Sequence, residues 1–266
     1  MTILSAARSV PAAGAAAAAL LLSLSATAPA QSRGFDSRNP LSLGWDRVGA
    51  PRIRLKQERP ISGTVSLARL RHKVPCQARR EFDKALAAEH KGDSHAAIAH
   101  LEKAVEIDPA FLEAYNNLGV RHLCVSQFEQ AIAQFQWALS LDGTASVVHS
   151  NLGIAYIAMS RFAEAERTAR QGLKHDSSSN RLRLILGLAL DAQRRDPREA
   201  LENLEAAARE FPRARLVAAR VLARDGEPNR AATELKKYLR SGSAGDRRQV
   251  ETWLAELEQQ FVARSP

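Results

Sequence analysis

The sequence predicts an all-α chain: an α-solenoid of antiparallel helix pairs, about four and a half repeats long, with a C-terminal capping helix and a disordered N-terminal arm. Three observations predict it. From Pro75 onward the chain is self-similar at a period of 34 residues. Aromatic residues make up only 5% of the chain while alanine is abundant, a bias toward small-residue helix packing rather than a β-sandwich. Finally, Val250, Trp253, Leu254, Leu257 and Phe261 recur at helical spacing after a break at Gly242–Gly245, the stripe of a helix that covers something apolar.

Residues 1–30 read as an export signal. A single base, Arg8, precedes a small and apolar run from Ala12 to Leu24, and Ala28-Pro29-Ala30 offers the small-residue pair a signal peptidase accepts. The run is shorter than the ~20 residues of a spanning helix. Cleavage near Ala30 places the chain in the periplasm or outside the cell; the alternative is an uncleaved segment that anchors it.

Residues 31–74 hold Gly34, Pro40, Gly44, Gly49, Pro51, Pro60 and Gly63 without sustained apolar periodicity, the composition of a mostly disordered arm. One stretch, Ile61 to Leu70, carries Ile61, Val65, Leu67 and Leu70 and is a candidate to pair as a strand or dock on the body. The net charge of +9 is concentrated here: residues 31–77 have ten Lys/Arg against three Asp/Glu, whereas residues 78–266 have 27 against 26. The basicity belongs to the arm, so the folded body is nearly neutral. The bases are not interleaved with aromatics, which leaves base stacking unsupported, and export disfavours nucleic acid further; an anionic envelope surface is the contact such an arm fits.

The repeats occupy residues 75–242, and 243–266 form the cap. Ala85, Gly119, Gly153 and Gly187 are spaced by 34; so are Leu118, Leu152 and Leu186; Ala97, Ala131 and Ala165 share the interval, with Ala200 one residue late. Residues 78–111 supply Ala85, Ala97, Leu101, Ala104 and Pro109; residues 112–145 supply Tyr115, Leu118, Gly119, Ala131, Phe135 and Ala138. Residues 146–179 supply Leu152, Gly153, Tyr156, Ala165 and Gly172, and residues 180–214 supply Leu186, Gly187, Ala200, Leu204, Ala207 and Pro212 with one extra residue.

This pattern resembles the tetratricopeptide repeat, in which small residues at positions 8 and 20 let two antiparallel helices approach closely. Residues 215–240 read as a fifth pair with a short first helix. Asp196-Pro197-Arg198-Glu199 reads as a helix start with a cap, and Glu227-Pro228 repeats the proline signal. The capping stripe also suits a homodimer face.

Nothing in the sequence assembles a catalytic constellation, a metal site or a cofactor motif. His90, His95 and His100 are spaced by five, which puts no pair on one helical face, and His122 occupies a position usually held by a core Tyr. Cys76 and Cys124 are expected to be free, buried thiols, because the repeat register separates them by roughly 20 Å along the helix axis. The expected function is therefore that of a non-enzymatic scaffold of the cell envelope. The family resemblance implies a concave groove that binds a protein or peptide, formed by Phe82, Leu86, Asn116, Asn117, Val120, Ser150, Asn151, Ile154, Leu184 and Leu188.

The family's carboxylate-gripping members use five positions that here hold Phe82, Leu86, Asn117, Val147 and Asn151, only one of them a match, so that clamp is rejected. Asn117 and Asn151 resemble instead a short version of the asparagine ladder of O-linked N-acetylglucosamine transferase, where amides hold an extended peptide. The alternative is a tethering protein of the envelope whose basic arm binds anionic polymer or lipid.

Overall fold

A computed structural model describes residues 72–242 and 247–262. The export segment, the stretch Ile61–Leu70 and nearly all of the arm lie outside the described residues, as does the side chain of Phe261. The rest is built from helices in antiparallel pairs: α1 (Cys76–His90) with α2 (Ser94–Ile107), α3 (Leu112–Cys124) with α4 (Phe128–Leu141), and α5 (Ser146–Ala158) with α6 (Phe162–His175). Then follow α7 (Asn180–Ala192) with α8 (Pro197–Ala207), α9 (Ala214–Arg224) with α10 (Pro228–Arg240), and α11 (Arg247–Val262). The first helix of each pair begins at or within two residues of a repeat boundary, and α9 is 11 residues against 13 for α7, so the last pair is short in its first helix as the sequence predicts.

Two turns recur. Within each pair the chain reverses through a residue of positive φ at the same phase of the repeat: Gly92 (79°), Ser126 (61°), Ser160 (59°) and Arg194 (54°). The following amide in each case closes on the carbonyl five residues back, as Gln127 N to His122 O at 2.8 Å and Arg161 N to Tyr156 O at 2.8 Å. The fifth pair turns in the same way at Gly226 (82°), and the two glycines adopt this conformation without steric cost, whereas Ser126, Ser160 and Arg194 are held there by the helices they join.

The extra residue of the fourth repeat falls in this turn, where Asp196 is a second left-handed residue (φ 42°). Its carboxylate consequently makes no cap bond, contrary to the sequence expectation, and Pro197 alone marks the start of α8. Glu199 is no capping partner either; it takes two hydrogen bonds from Arg170 of α6, at 2.6 and 2.8 Å.

Between pairs the turn is closed by an aspartate. Asp108, Asp142 and Asp176, again 34 apart, each accept from the backbone amide two residues on, at 3.1, 3.0 and 3.1 Å. This track is present in the sequence and reads, once the turn is seen, as side chains replacing backbone partners for the chain between helices.

The small residues do what the spacing implies. A methyl group on Gly119 would lie 2.5 Å from the Phe135 ring, and one on Gly187 would lie 2.7 Å from Leu204, so a side chain of α4 packs directly on the backbone of α3 and one of α8 on that of α7. Ala97, Ala131, Ala165 and Ala200 are wholly buried on the opposing helices. Gly153 differs: a methyl there would meet Ile185 at 2.9 Å, so it brings α5 against α7, the corresponding helix of the next pair.

The core is continuous from α3 to α11, with a smaller cluster in the first repeat built on the tilted rings of Phe82 and Phe111, 5.0 Å apart. His122 is buried as expected and bonds Gln127 at 2.7 Å. At the far end α11 packs on α10 and buries Val250, Trp253 and Leu257, closing the apolar edge that any last repeat exposes.

Two stability tests follow from these contacts. Gly119→Ala gains about 1 kcal/mol of helix propensity but drives a methyl into a wholly buried ring, an overpacking cost of about 1–3 kcal/mol. A net loss is expected in chemical denaturation, and a rise in stability would refute the close-approach account. His149, buried beside His175 with ring centroids 6.0 Å apart, has its pKa lowered from the ordinary histidine value by burial and by the neighbouring imidazole, against a hydrogen bond to the Gly143 carbonyl. Its neutral form stabilises the fold above pH ~6.5, and that contribution is lost as pH falls below the unfolded-state value. The thermal midpoint is expected to drop between pH 7.5 and 5.5, with His149→Gln flattening the slope.

Candidate binding groove

The curvature of the stack follows from which helices touch their counterparts in the next pair. α3, α5, α7 and α9 pack on one another in succession, a closeness that the second helices of the pairs do not reach among the described residues. The first helices therefore form the inner layer, and its inward side is the concave surface. The ten residues expected to line it all lie on α1, α3, α5 and α7.

The structure divides them into two groups. Leu86, Asn116, Asn117 and Val120, on α1 and α3, are partly exposed. Phe82 turns instead into the core of the first repeat, against Phe111. Ser150, Asn151, Ile154, Leu184 and Leu188, on α5 and α7, are all buried, none more than 7% exposed.

The amides are engaged within the inner layer. Asn151 donates from Nδ2 to Oδ1 of Asn116 at 2.8 Å, bridging α5 and α3. Asn117 donates to the Glu113 carbonyl one turn back on its own helix at 3.0 Å. The two asparagines that share a repeat position thus do not meet each other; the pair that bridges neighbouring helices is Asn116 with Asn151. Each retains an amide group for a further bond, since Asn116 Nδ2, Asn117 Oδ1 and Asn151 Oδ1 are not used in these contacts.

Ion pairs set the rims of the groove. Glu89 of α1 meets Arg121 of α3 at 2.8 Å, and Asp191 of α7 meets Arg224 of α9 at 2.9 Å and also receives Arg220. Asp191 is 3% exposed, so its charge needs both guanidinium groups. The sequence reading passed over this clamp because an Asp at the end of one helix and Arg residues in the next repeat carry no local signal. Outside the groove, Trp137 of α4 is 59% exposed and stacks on Tyr115 of α3 with ring centroids 6.3 Å apart.

Among the described residues no cluster of His, Cys, Asp and Glu is placed to hold a metal ion, and no helix is long and apolar enough to cross a membrane. Of the spaced histidines, His100 bonds Glu81 at 2.8 Å, while His90 and His95 are exposed.

A tetratricopeptide repeat family model matches residues 150–198 and again 191–246, and a second model of the same repeat matches residues 82–111. The chain is a tetratricopeptide repeat protein. No curated protein matches the sequence. Among solved structures the fold is similar to a MamA protein (22% identity over 62% of this chain and 91% of that one, TM-score 0.56). It is also similar to MamA from Desulfovibrio magneticus (15% identity, 65% and 100% coverage, TM-score 0.59). A third is YrrB, described as a tetratricopeptide repeat protein with an unusual peptide-binding site (18% identity, 66% and 92% coverage, TM-score 0.55). Proteins of this repeat family act as protein-interaction scaffolds, and the helix pairing, inner layer and C-terminal cover seen here are that architecture.

Both cysteines are free, but they are not equally buried. Cys76 is exposed, contrary to expectation, because it opens the first helix and no earlier repeat covers it; Cys124 is partly buried at the end of α3. Burial pushes the Cys124 thiol above its ordinary pKa, outweighing the nearby Arg121. Cys76 is therefore expected to react with iodoacetamide at neutral pH at least several-fold faster than Cys124; equal rates by peptide mass spectrometry would contradict the placement of Cys124.

Proposed function

We propose that this protein is a non-enzymatic scaffold of the bacterial cell envelope whose concave groove binds an extended peptide segment of a protein partner. The observation that carries the reading is the open amide and apolar patch at the α1–α3 end of the groove. There Asn116 keeps its Nδ2 as a donor and Asn117 its Oδ1 as an acceptor, and Leu86 and Val120 add partly exposed apolar surface on the same two helices. An amide both donates and accepts, so it holds main chain irrespective of side-chain sequence, and the apolar flanks add selectivity. The folded body is nearly neutral, which suits a groove that recognises backbone rather than charge. YrrB, a fold neighbour with a peptide-binding site, is consistent with such a use of the architecture.

The placement in the envelope rests on the signal-like residues 1–30, with cleavage near Ala30 and release to the periplasm or beyond. The basic arm then brings the scaffold to anionic envelope surfaces, a tethering role that accompanies the groove rather than replacing it.

Panning a random peptide library on the purified chain and titrating a recovered peptide tests the groove. Asn117→Ala and Asn116→Ala are each expected to cost about 1 kcal/mol, roughly a fivefold loss of affinity, while circular dichroism remains unchanged. Unaltered affinity in both variants would remove the groove as the binding site.

A further inference from the structure

The folded body is nearly neutral as a whole, but its charge is sorted by edge. The turns that join one pair to the next, with the helix ends beside them, form one edge of the stack; the turns inside the pairs form the other. At the start of the first edge, residues 104–115 hold three acids and no Lys or Arg, and residues 138–149 hold Asp142 and no Lys or Arg. Farther along, residues 173–183, 208–215, 237–242 and 247–248 together hold ten Lys/Arg against Asp176 and Glu210. Both of those acids are already engaged, Asp176 by Ser178 and Glu210 by Asn180.

Internal pairing uses only part of this row. Arg215 and Lys237 reach Glu234, Arg247 reaches Glu251, and Arg183 donates to the Ser177 carbonyl. Lys174, Arg181, Arg209, Arg240 and Arg248 make no ion pair among the described residues, and all but the half-buried Arg181 are exposed. Arg181 stands in the first turn of α7, where the helix dipole disfavours a cation. On the opposite edge Arg121, Arg161, Arg195, Arg224 and Arg230 each reach a carboxylate.

The basic edge also carries the two large apolar side chains left exposed among the described residues. Trp137, near the end of α4, is 59% exposed, and Val147, the second residue of α5, is 40% exposed. Tyr115, near the start of α3, stacks on the indole and steadies it.

We propose that this edge is a docking surface for an acidic phospholipid bilayer, met peripherally, with Trp137 and Val147 at headgroup level and the bases from Lys174 to Arg248 facing the anionic lipids. Charge alone suits any polyanion. The exposed indole beside the row favours a bilayer, because the boundary between headgroups and acyl chains stabilises a ring with a polar N–H and an apolar body. Successive helices lie about 10 Å apart, comparable with the Debye length of about 8 Å at physiological salt, so neighbouring bases act on one surface. The long stems of Lys and Arg let them reach headgroups at different depths. The concave face is left open to a partner, and the inference stands apart from the groove reading.

Vesicle partitioning of the full chain tests it, on phosphatidylcholine with and without phosphatidylglycerol. In a Cys76→Ser, Cys124→Ser background an environment-sensitive fluorophore is attached at Ser177→Cys on this edge or at Asn229→Cys on the other. With acidic vesicles the label at 177 is expected to shift to the blue and to be quenched by brominated lipid, while the label at 229 does neither. Each base at an acidic surface contributes roughly a fivefold factor in affinity. The combined variant Lys174→Gln, Arg181→Gln, Arg209→Gln, Arg240→Gln and Arg248→Gln is therefore expected to partition at least ~100-fold more weakly, with unchanged circular dichroism. Trp137→Ser is expected to weaken vesicle binding several-fold and to leave binding of soluble polyphosphate unchanged.

The arm is common to all these chains, so differences between them report on the edge. Labels at 177 and 229 that respond alike would overturn the proposal. So would a combined variant that partitions like the natural chain, which assigns vesicle binding to the arm. Equal binding to neutral and acidic vesicles would remove the role of the bases. An equal loss of vesicle and polyphosphate binding in Trp137→Ser would overturn the bilayer in favour of a soluble polyanion.

Discussion

The close approach of paired helices at small residues is the constraint on which the rest of this protein depends. Gly119 against Phe135 and Gly187 against Leu204 leave no room for a single methyl group, and a wholly buried Ala on each opposing helix completes the contact. Such proximity fixes the crossing geometry of each pair and therefore the angle at which the next pair leaves. Helix propensity is given up at these glycines, about 1 kcal/mol each, in return for packing that no larger residue permits. Gly153 extends the same device from the pair to the stack by admitting Ile185 from the neighbouring inner helix.

The turns are subordinate to that packing. Ser126, Ser160 and Arg194 occupy left-handed backbone that glycine would adopt more cheaply, so the helices they connect impose the conformation. The extra residue of the fourth repeat is absorbed in this turn, which is the part of the unit least bound to the core. The inner layer, by contrast, tolerates no slack: Asn151 reaches across to Asn116, and Asp191 holds α9 through Arg220 and Arg224. The truncated last pair is thereby tied to the stack by charge as well as by apolar contact, and α11 then covers it.

Much of this was legible from residue order. The period of 34 and its three small or apolar tracks located the helix pairs and the short first helix of the fifth, because each repeat buries the same positions against the same neighbours, and helical spacing alone located the stripe of α11. The aspartates of the inter-pair turns repeat at that interval too and were available to the same reasoning. What failed was local: Asp196 and Glu199 have the spacing of a helix cap, but the inserted residue turns the backbone left-handed and Arg170 takes the glutamate. Cys76 was expected to be buried, yet it precedes any repeat able to cover it.

The sequence by itself determined the repeat unit, its number and the uneven distribution of charge, since these depend on periodicity and composition alone. Only the tertiary structure decided which side chains of the inner layer remain available. Two asparagines at equal repeat positions face different partners, one its own helix and one its neighbour, and the apolar positions of α5 and α7 are closed while those of α1 and α3 stay open. The reason is physical: a repeat pattern specifies which positions each unit buries against the next, whereas the exposure of an inner-layer side chain depends on how successive pairs are stacked in space.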